Sequence, residues 1–378
     1  MRPFQTFLFP CSLFLFTGVA LNGPVTAQGY NVDLLLSREV TGVGNSASDM
    51  ALVGDKIYFS TSGGNVYYSL LEASTGETPF GPPQIISNGF PWLAGGASHI
   101  YTLGADMRIW EHQPGDQPPD LISNKAYEGA LPRMSTGNDY ALLVTTLIQP
   151  PHNLDLFQVW SLADPADPTF LGAVEIPPAE NKPGPVIEPD APLRIGARAL
   201  VPGGMAGMLV IDISDPSSPV LENIVMTPDY LSDIEVSGSV GYLAVGDSGV
   251  QVVDLADPGN PQLIGRIDTT DQSRFVHCWR DDLLLVGENE TALLVFDVSD
   301  PSKPKLVGRW GGGPKQTFAL TARVSLIYGL FHSHGATISA FGYRGPTPIP
   351  GRQAPHDVNG DKRINASDLL ILAEEWNP

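Results

Sequence analysis

The chain predicts an all-β fold, a seven-bladed β-propeller. Three observations lead there: a repeat of about forty residues, glycine and proline spread along the whole chain, and a strand pattern near the N-terminus with no blade before it. A short C-terminal loop of EF-hand type followed by a helix completes the predicted architecture.

The repeat is clearest in Leu156–Gly172, Leu209–Leu221, Val250–Gly265 and Leu293–Gly308, whose Asp-Pro steps begin at Asp164, Asp215, Asp257 and Asp300. The steps are 51, 42 and 43 residues apart, a period that belongs to repeat architectures. Each unit reads as strands. Val250, Val252 and Leu255 form one run, and Gln262 to Ile267 a second run after a turn. Proline fixes φ in that turn, the aspartate accepts backbone N–H bonds, and the second proline blocks a helix. An upstream pair, Ile234–Val236 and Tyr242–Val245, brings the unit to four strands, the size of one blade. The repeated aspartates Asp212, Asp215, Asp254 and Asp257 could be mistaken for a metal set; their recurrence at equivalent turns predicts turn capping.

Degenerate copies extend the series. Ile57–Phe59 and Val66–Tyr68 lead to Pro83–Ile86, and Ile100–Thr102 and Arg108–Trp110 lead to Pro119–Ile122. Leu326–Tyr328 and Thr337–Ser339 make a last blade that lacks an outer strand, while Val32–Ser37 is a strand lacking a blade. Pairing the two closes the ring and leaves no open end. Seven blades follow, although six or eight fit the same period. The chain contains Gly 40 and Pro 35, with 42% apolar and 16% charged residues. That composition suits many short strands around a core.

The segments LVIDISDPSSP and LLVFDVSDPSKP resemble the LVIVD repeat of bacterial and archaeal surface β-propellers, most strongly over residues 140–310. The resemblance implies a propeller in an extracytoplasmic setting and no uniform activity.

Residues 1–27 read as an export signal: Arg2, an apolar run from Phe7 to Leu21, and the small-residue step Val25-Thr26-Ala27. The run contains Pro10, Cys11 and Ser12 and is short for a membrane span of about 20 residues. No later stretch is apolar enough to cross a bilayer. Removing the signal takes Arg2 and Cys11 with it, leaving 20 basic against 41 acidic residues and Cys278 as the one cysteine. An internal disulfide is then impossible. Such an acidic surface repels phosphate backbones and anionic lipid, so nucleic acid is excluded as a partner. The expected partner is an envelope or extracellular protein or glycan, bound by a monomeric, exported propeller at the cell surface or outside the cell, with the periplasm as the alternative.

The predicted propeller spans residues 28–342, a Pro/Gly linker 343–356, and a calcium loop and helix 357–378. In the loop, Asp357, Asn359 and Asp361 supply side-chain oxygens at positions one, three and five. Arg363 supplies a carbonyl at seven, Asn365 stands at nine and Asp368 at twelve. Alternating oxygens at this spacing suit Ca2+, which takes six to eight hard ligands. Leu369, Leu372, Ala373 and Trp376 share one side of the following helix, a face that must dock on the propeller or meet a partner. The segment Asp357–Trp376 resembles one type I dockerin repeat, which implies calcium binding and attachment. It departs in having Lys362 where glycine usually makes the turn, at a cost of about 1 kcal/mol, and in having one repeat where a dockerin has two.

Weaker constellations remain. Asp229, Asp233, Asp247, Asp271, Glu288 and Glu290 fall in loops of one propeller face, with His332-Ser333-His334 in the last blade. They compose a candidate cation or sugar site at the channel mouth, although solvated surface charge predicts the same residues. A carbohydrate-active hydrolase or lyase is the alternative to a binding protein. It requires two carboxyls roughly 5–10 Å apart, with Asp233, Asp271 or Glu288 as members. His277 beside Cys278 and Asp281 suggests a nucleophile, but neighbours on a strand point to opposite faces, so Cys278 reads as a buried apolar residue. Trp110, Trp160 and Trp310 read as core.

Overall fold

A computed structural model describes residues 32–39, 47–61, 63–71, 84–87, 89, 92–137, 139–148, 154–176, 191–279, 282–289, 293–311, 316–323, 326–332 and 336–343. These form 28 strands, and no helix in them is long and apolar enough to cross a membrane.

The chain opens with β1 (Val32–Glu39) and then builds blades in sequence. Blade 1 contains β2 (Ala47–Val53), β3 (Lys56–Thr61), β4 (Val66–Leu70) and β5 (Gln84–Ser87). Blade 2 contains β6 (Trp92–Gly95), β7 (His99–Leu103), β8 (Met107–Glu111) and β9 (Asp120–Lys125). Blade 3 contains β10 (Ala130–Thr136), β11 (Tyr140–Leu147), β12 (Leu154–Ser161) and β13 (Thr169–Ile176). Blade 4 contains β14 (Leu193–Ile195), β15 (Arg198–Pro202), β16 (Met208–Asp212) and β17 (Val220–Val225). Blade 5 contains β18 (Leu231–Ser237), β19 (Val240–Val245), β20 (Val250–Asp254) and β21 (Gln262–Ile267). Blade 6 contains β22 (Ser273–Trp279), β23 (Leu283–Glu288), β24 (Leu293–Asp297) and β25 (Lys305–Trp310). Blade 7 contains β26 (Gln316–Arg323), β27 (Leu326–His332) and β28 (Ala336–Tyr343), with β1 as its fourth strand.

Every sheet is an antiparallel meander of four strands. The first strands of successive blades approach one another, β18 with β22, β22 with β26, and β26 with β2, so they ring the axis. β1 pairs with β28 from Val32↔Tyr343 to Glu39↔Thr337 and supplies the outer strand that blade 7 lacks. β28 thus runs to Tyr343, which is buried.

Alternating side chains of a radial sheet face the two neighbouring blades, and the core is accordingly divided among the inter-blade interfaces. Met50, Ile57 and Phe59 of blade 1 pack on Ala319, Tyr328 and Leu330 of blade 7, which seals the ring. Tyr242, Val250 and Val252 of blade 5 meet Val276, Leu284 and Phe296 of blade 6 in the same manner. The tryptophans belong to this core: Trp110, Trp160 and Trp310 are all less than a tenth exposed. Trp110 Nε1 donates to Thr102 Oγ1 at 3.0 Å and Trp160 Nε1 to Gln158 Oε1 at 3.3 Å.

Two β-bulges recur. One lies between third and fourth strands, at Val66/Tyr67, Ile109/Trp110, Val159/Trp160, Val210/Ile211, Val252/Val253 and Val295/Phe296. Bulges kink an outer edge and blunt it as a template for foreign strands. The glycine ending several repeats has a packing cause. A Cβ on Gly172 would come within 2.6 Å of Ser217 O and 2.7 Å of Pro216 O, in the Asp-Pro turn of the next blade.

Candidate functional site

The lower face carries the Asp-Pro turns. Asp215 Oδ1 accepts from Ser217 N at 3.0 Å and Ser217 Oγ at 2.6 Å, and Asp300 Oδ1 from Ser302 N at 3.2 Å and Oγ at 2.7 Å. Asp257 Oδ1 takes Gly259 N at 3.2 Å, and Asp164 Oδ1 takes Ala166 N at 3.0 Å. Asp212 and Asp254 cap the start of the same turns through Ser214 N and Ala256 N, each at 2.8 Å. These hydrogen bonds hold the carboxyls of Asp212, Asp215 and Asp300 below the usual range. The repeated aspartates are turn caps, and among the described residues no group of three or more His, Cys, Asp or Glu is arranged to hold a metal.

The acidic residues of the upper face are likewise engaged by the backbone. Asp229 Oδ1 accepts from Tyr230 N at 2.7 Å and its Oδ2 from Asp247 N at 2.9 Å. Thr227 Oγ1 donates to Asp229 O at 2.8 Å, and Thr269 Oγ1 to Asp271 O at 2.8 Å, so the loops entering blades 5 and 6 share one construction. Glu288 is fully buried: its Oε1 accepts from Thr270 N at 2.7 Å, Thr270 Oγ1 at 2.9 Å and Asp271 N at 3.2 Å. These carboxylates act as hydrogen-bond acceptors that brace the loop backbone.

The axial strands are stitched across blades. A second recurring bulge, at Ala47/Asp49 and Leu231/Asp233, turns an aspartate toward the next blade. Asp233 Oδ1 accepts from Ile234 N at 2.8 Å and Oδ2 from Val276 N of blade 6 at 2.9 Å. Asp49 repeats the staple between blades 1 and 2 through Met50 N at 2.8 Å and Leu93 N at 3.2 Å. Beside the Asp233 staple, His277 Nδ1 lies 3.1 Å from Glu235 Oε1. His277 therefore pairs with a carboxylate, and Cys278 packs against the apolar interface of blades 5 and 6. Burial and the nearby Glu235 and Asp233 push the Cys278 thiol well up, the reverse of an activated nucleophile.

Two polar clusters escape sequence reading. At the lower edge of blades 1 and 2, Asp55 Oδ1, His112 and Tyr58 Oη form a chain, with 3.1 Å at each ring nitrogen of His112. Lys56, wholly buried, donates to Gln113 O and lies 5.4 Å from the centroid of the Tyr68 ring. Burial lowers both Lys56 and His112. Between blades 3 and 4, Asp155 is 1% exposed; its Oδ1 accepts from Thr146 Oγ1 at 2.7 Å, while Oδ2 has no partner. Burial pushes the Asp155 carboxyl up to about 6.

The predicted calcium ligands Asp357, Asn359, Asp361, Arg363, Asn365 and Asp368 lie outside the described residues, as do the tail helix, residues 1–27, Asp281, Glu290, Ser333 and His334.

Comparison with known proteins agrees with this architecture. A family model for the LVIVD repeat matches residues 201–227, 230–269 and 282–311, within blades 4 to 6. The chain carries LVIVD repeats. No curated protein matches it. The crystal structure of the computationally designed Ika8 protein is similar, with a TM-score of 0.54 and 8% identity over 80% of this chain and 98% of that one. A functionally unknown protein from Desulfotomaculum acetoxidans DSM 771 is also similar, with a TM-score of 0.54 and 14% identity over 72% of this chain and 85% of that one. At such identities the likeness concerns the fold alone.

Proposed function

We propose that the chain is an exported, non-catalytic binding or scaffold protein, a monomeric propeller attached or assembled through a calcium-ordered tail. The observation that carries the non-catalytic part is the use of the upper-face carboxylates. Asp229, Asp233 and Glu288 each accept backbone N–H groups, so they brace loops in place of forming an acid–base pair. A closed ring with braced loops is a rigid platform, and rigidity lowers the cost of binding.

Export rests on the leader pattern of residues 1–27, and attachment on the tail. Asp357, Asn359, Asp361, Arg363, Asn365 and Asp368 would hold Ca2+, and the apolar side of the following helix would meet an envelope or extracellular protein or glycan. Lys362 weakens the calcium site by its charge and by occupying the usual glycine position.

The test is a pull-down from envelope and secreted fractions of the producing cell. It compares the mature chain with a truncation ending at Pro355, each with calcium and with chelator. A partner retained by the full chain only with calcium supports the tail as attachment module. The same partner retained by both forms regardless of calcium assigns binding to the propeller and overturns the tail's role. Retention by neither overturns the proposal.

A further inference from the structure

Basic residues on the first strands differ in their partners from those on the outer strands. Neighbouring blades cover both sides of a first strand, so a side chain partly exposed along its length faces the channel, while Arg194, exposed beside the Gly196-Ala197 turn, stands at the lower rim. Among the described residues, the lysines and arginines that meet a carboxylate are Lys56, Arg108, Lys125, Arg198 and Arg266. All lie on second, third or fourth strands. Arg274, on first strand β22, meets instead Asn289 Oδ1 at 3.5 Å and lies 6.0 Å from the centroid of Phe275, and two further first-strand arginines are stacked on rings of the preceding blade. Arg133 of β10 has its guanidinium 4.9 Å from the centroid of Trp92, and Arg194 of β14 has its own 4.3 Å from that of Tyr140. Arg133 Nη1 donates to Pro132 O at 3.1 Å and Arg194 Nε to Gly196 O at 2.9 Å. Neither forms an ion pair with a carboxylate among the described residues.

That is unexpected in a chain with 21 basic and 41 acidic residues. The described acids of the channel wall sit elsewhere on the ring: Asp49 and Asp233 are committed to N–H donors, and Glu235 to His277. The consecutive first strands β6, β10 and β14 (WLAG, ALPRMST and LRI) contain no acid. An arginine has five N–H donors in a planar fork. Stacking on an aromatic face fixes that plane and leaves its edge open. The complementary ligand is planar, anionic and bidentate, which describes a carboxylate.

We propose that the channel arc of blades 2 to 4 binds a carboxylate-bearing ligand, with Arg133 on Trp92 as first donor and Arg194 on Tyr140 as second. The proposal rests on the propeller being a binding unit and names the ligand chemistry. The test is calorimetric titration of the full mature chain with glucuronate, glucose and inorganic sulfate. Glucuronate is expected to bind and glucose not to. Arg133→Gln should weaken glucuronate about tenfold or more, Arg194→Gln should weaken it less, and Arg266→Gln on the outer strand should leave it unchanged. Circular dichroism shows which variants fold; if Arg133→Gln does not, Arg194→Gln decides. No glucuronate binding, equal binding of glucose, or unchanged affinity in the folded arginine variants overturns the proposal. Sulfate binding as tight as glucuronate overturns the carboxylate assignment. A partner still retained by Arg133→Gln in the pull-down leaves the binding role standing while the channel site falls.

Discussion

Asp155→Asn offers a stability measurement whose size can be worked out in advance. Asp155 is shut between blades 3 and 4 with one hydrogen bond, from Thr146 Oγ1, and burial raises its carboxyl from 3.8 to about 6. The unfolded chain binds this proton only below about pH 4, whereas the folded chain binds it below about pH 6. Between those values the folded state holds more protons, so stability falls as pH rises and the penalty is complete above the folded value. Two pK units at 1.36 kcal/mol each give a total of about 3 kcal/mol, of which roughly 2 kcal/mol falls between pH 4.5 and 7.5. Asparagine keeps an acceptor for Thr146 and has no charge to bury. Urea unfolding of both proteins at the two pH values isolates the effect, because the other titrating groups are common to both. The wild type should lose about 2 kcal/mol more than the variant on going to pH 7.5. Parallel pH dependences would refute the reasoning.

Three further outcomes are expected. Gly172→Ala should destabilise by about 1–3 kcal/mol, because the added methyl meets the backbone of Pro216 and Ser217; a urea midpoint equal to wild type would show that the next blade yields freely. Tyr58→Phe should cost about 1 kcal/mol by removing the partner of His112 Nδ1. Because His112 is lowered from 6.5, its stabilising effect is present above the unfolded value and lost as pH falls through the folded one, a slope opposite to that of Asp155, which His112→Gln should flatten below pH 6.5. Cys278 is partly exposed, and burial with nearby Glu235 and Asp233 raises its thiol, so at neutral pH it should react with a thiol reagent much more slowly than free cysteine; labelling as fast as that of free cysteine would contradict the environment described.

The ring was legible because its period is written in turn chemistry, with Asp-Pro steps that punctuate blades 3 to 6. Blades 1 and 2 lack that step but keep their apolar strand pairs, which suffices because each pair fills an interface. The bulges were not legible. A bulge adds one residue to a strand, and nothing in Leu263-Ile264-Gly265, where the extra residue stands opposite Val252-Val253, marks it. Near those bulges Leu263 and Leu306 stand 63% and 47% exposed. The acidic residues of the upper face were found but assigned to solvent or ligand. Their use as caps depends on N–H groups 17 or 18 residues away, such as Thr270 and Asp271 for Glu288. The Asp55–His112–Tyr58 chain joins residues separated by more than fifty positions, beyond any local motif.

The pairing of β1 with β28 bears on the order of folding. Among the described residues, the strand nearest the N-terminus has its one sheet partner about three hundred residues later. Closing a loop of that length costs on the order of 5 kcal/mol in chain entropy, recovered only once blades 1 and 7 can pack together. Blades 1 to 6 each draw all four strands from one contiguous segment and can form as the chain emerges. Blade 7 must wait, with β28 presenting an unpaired edge until β1 docks. The interval before closure is when the chain is most exposed to proteases and to its own copies. The arrival of β1 at β28 sets the length of that interval.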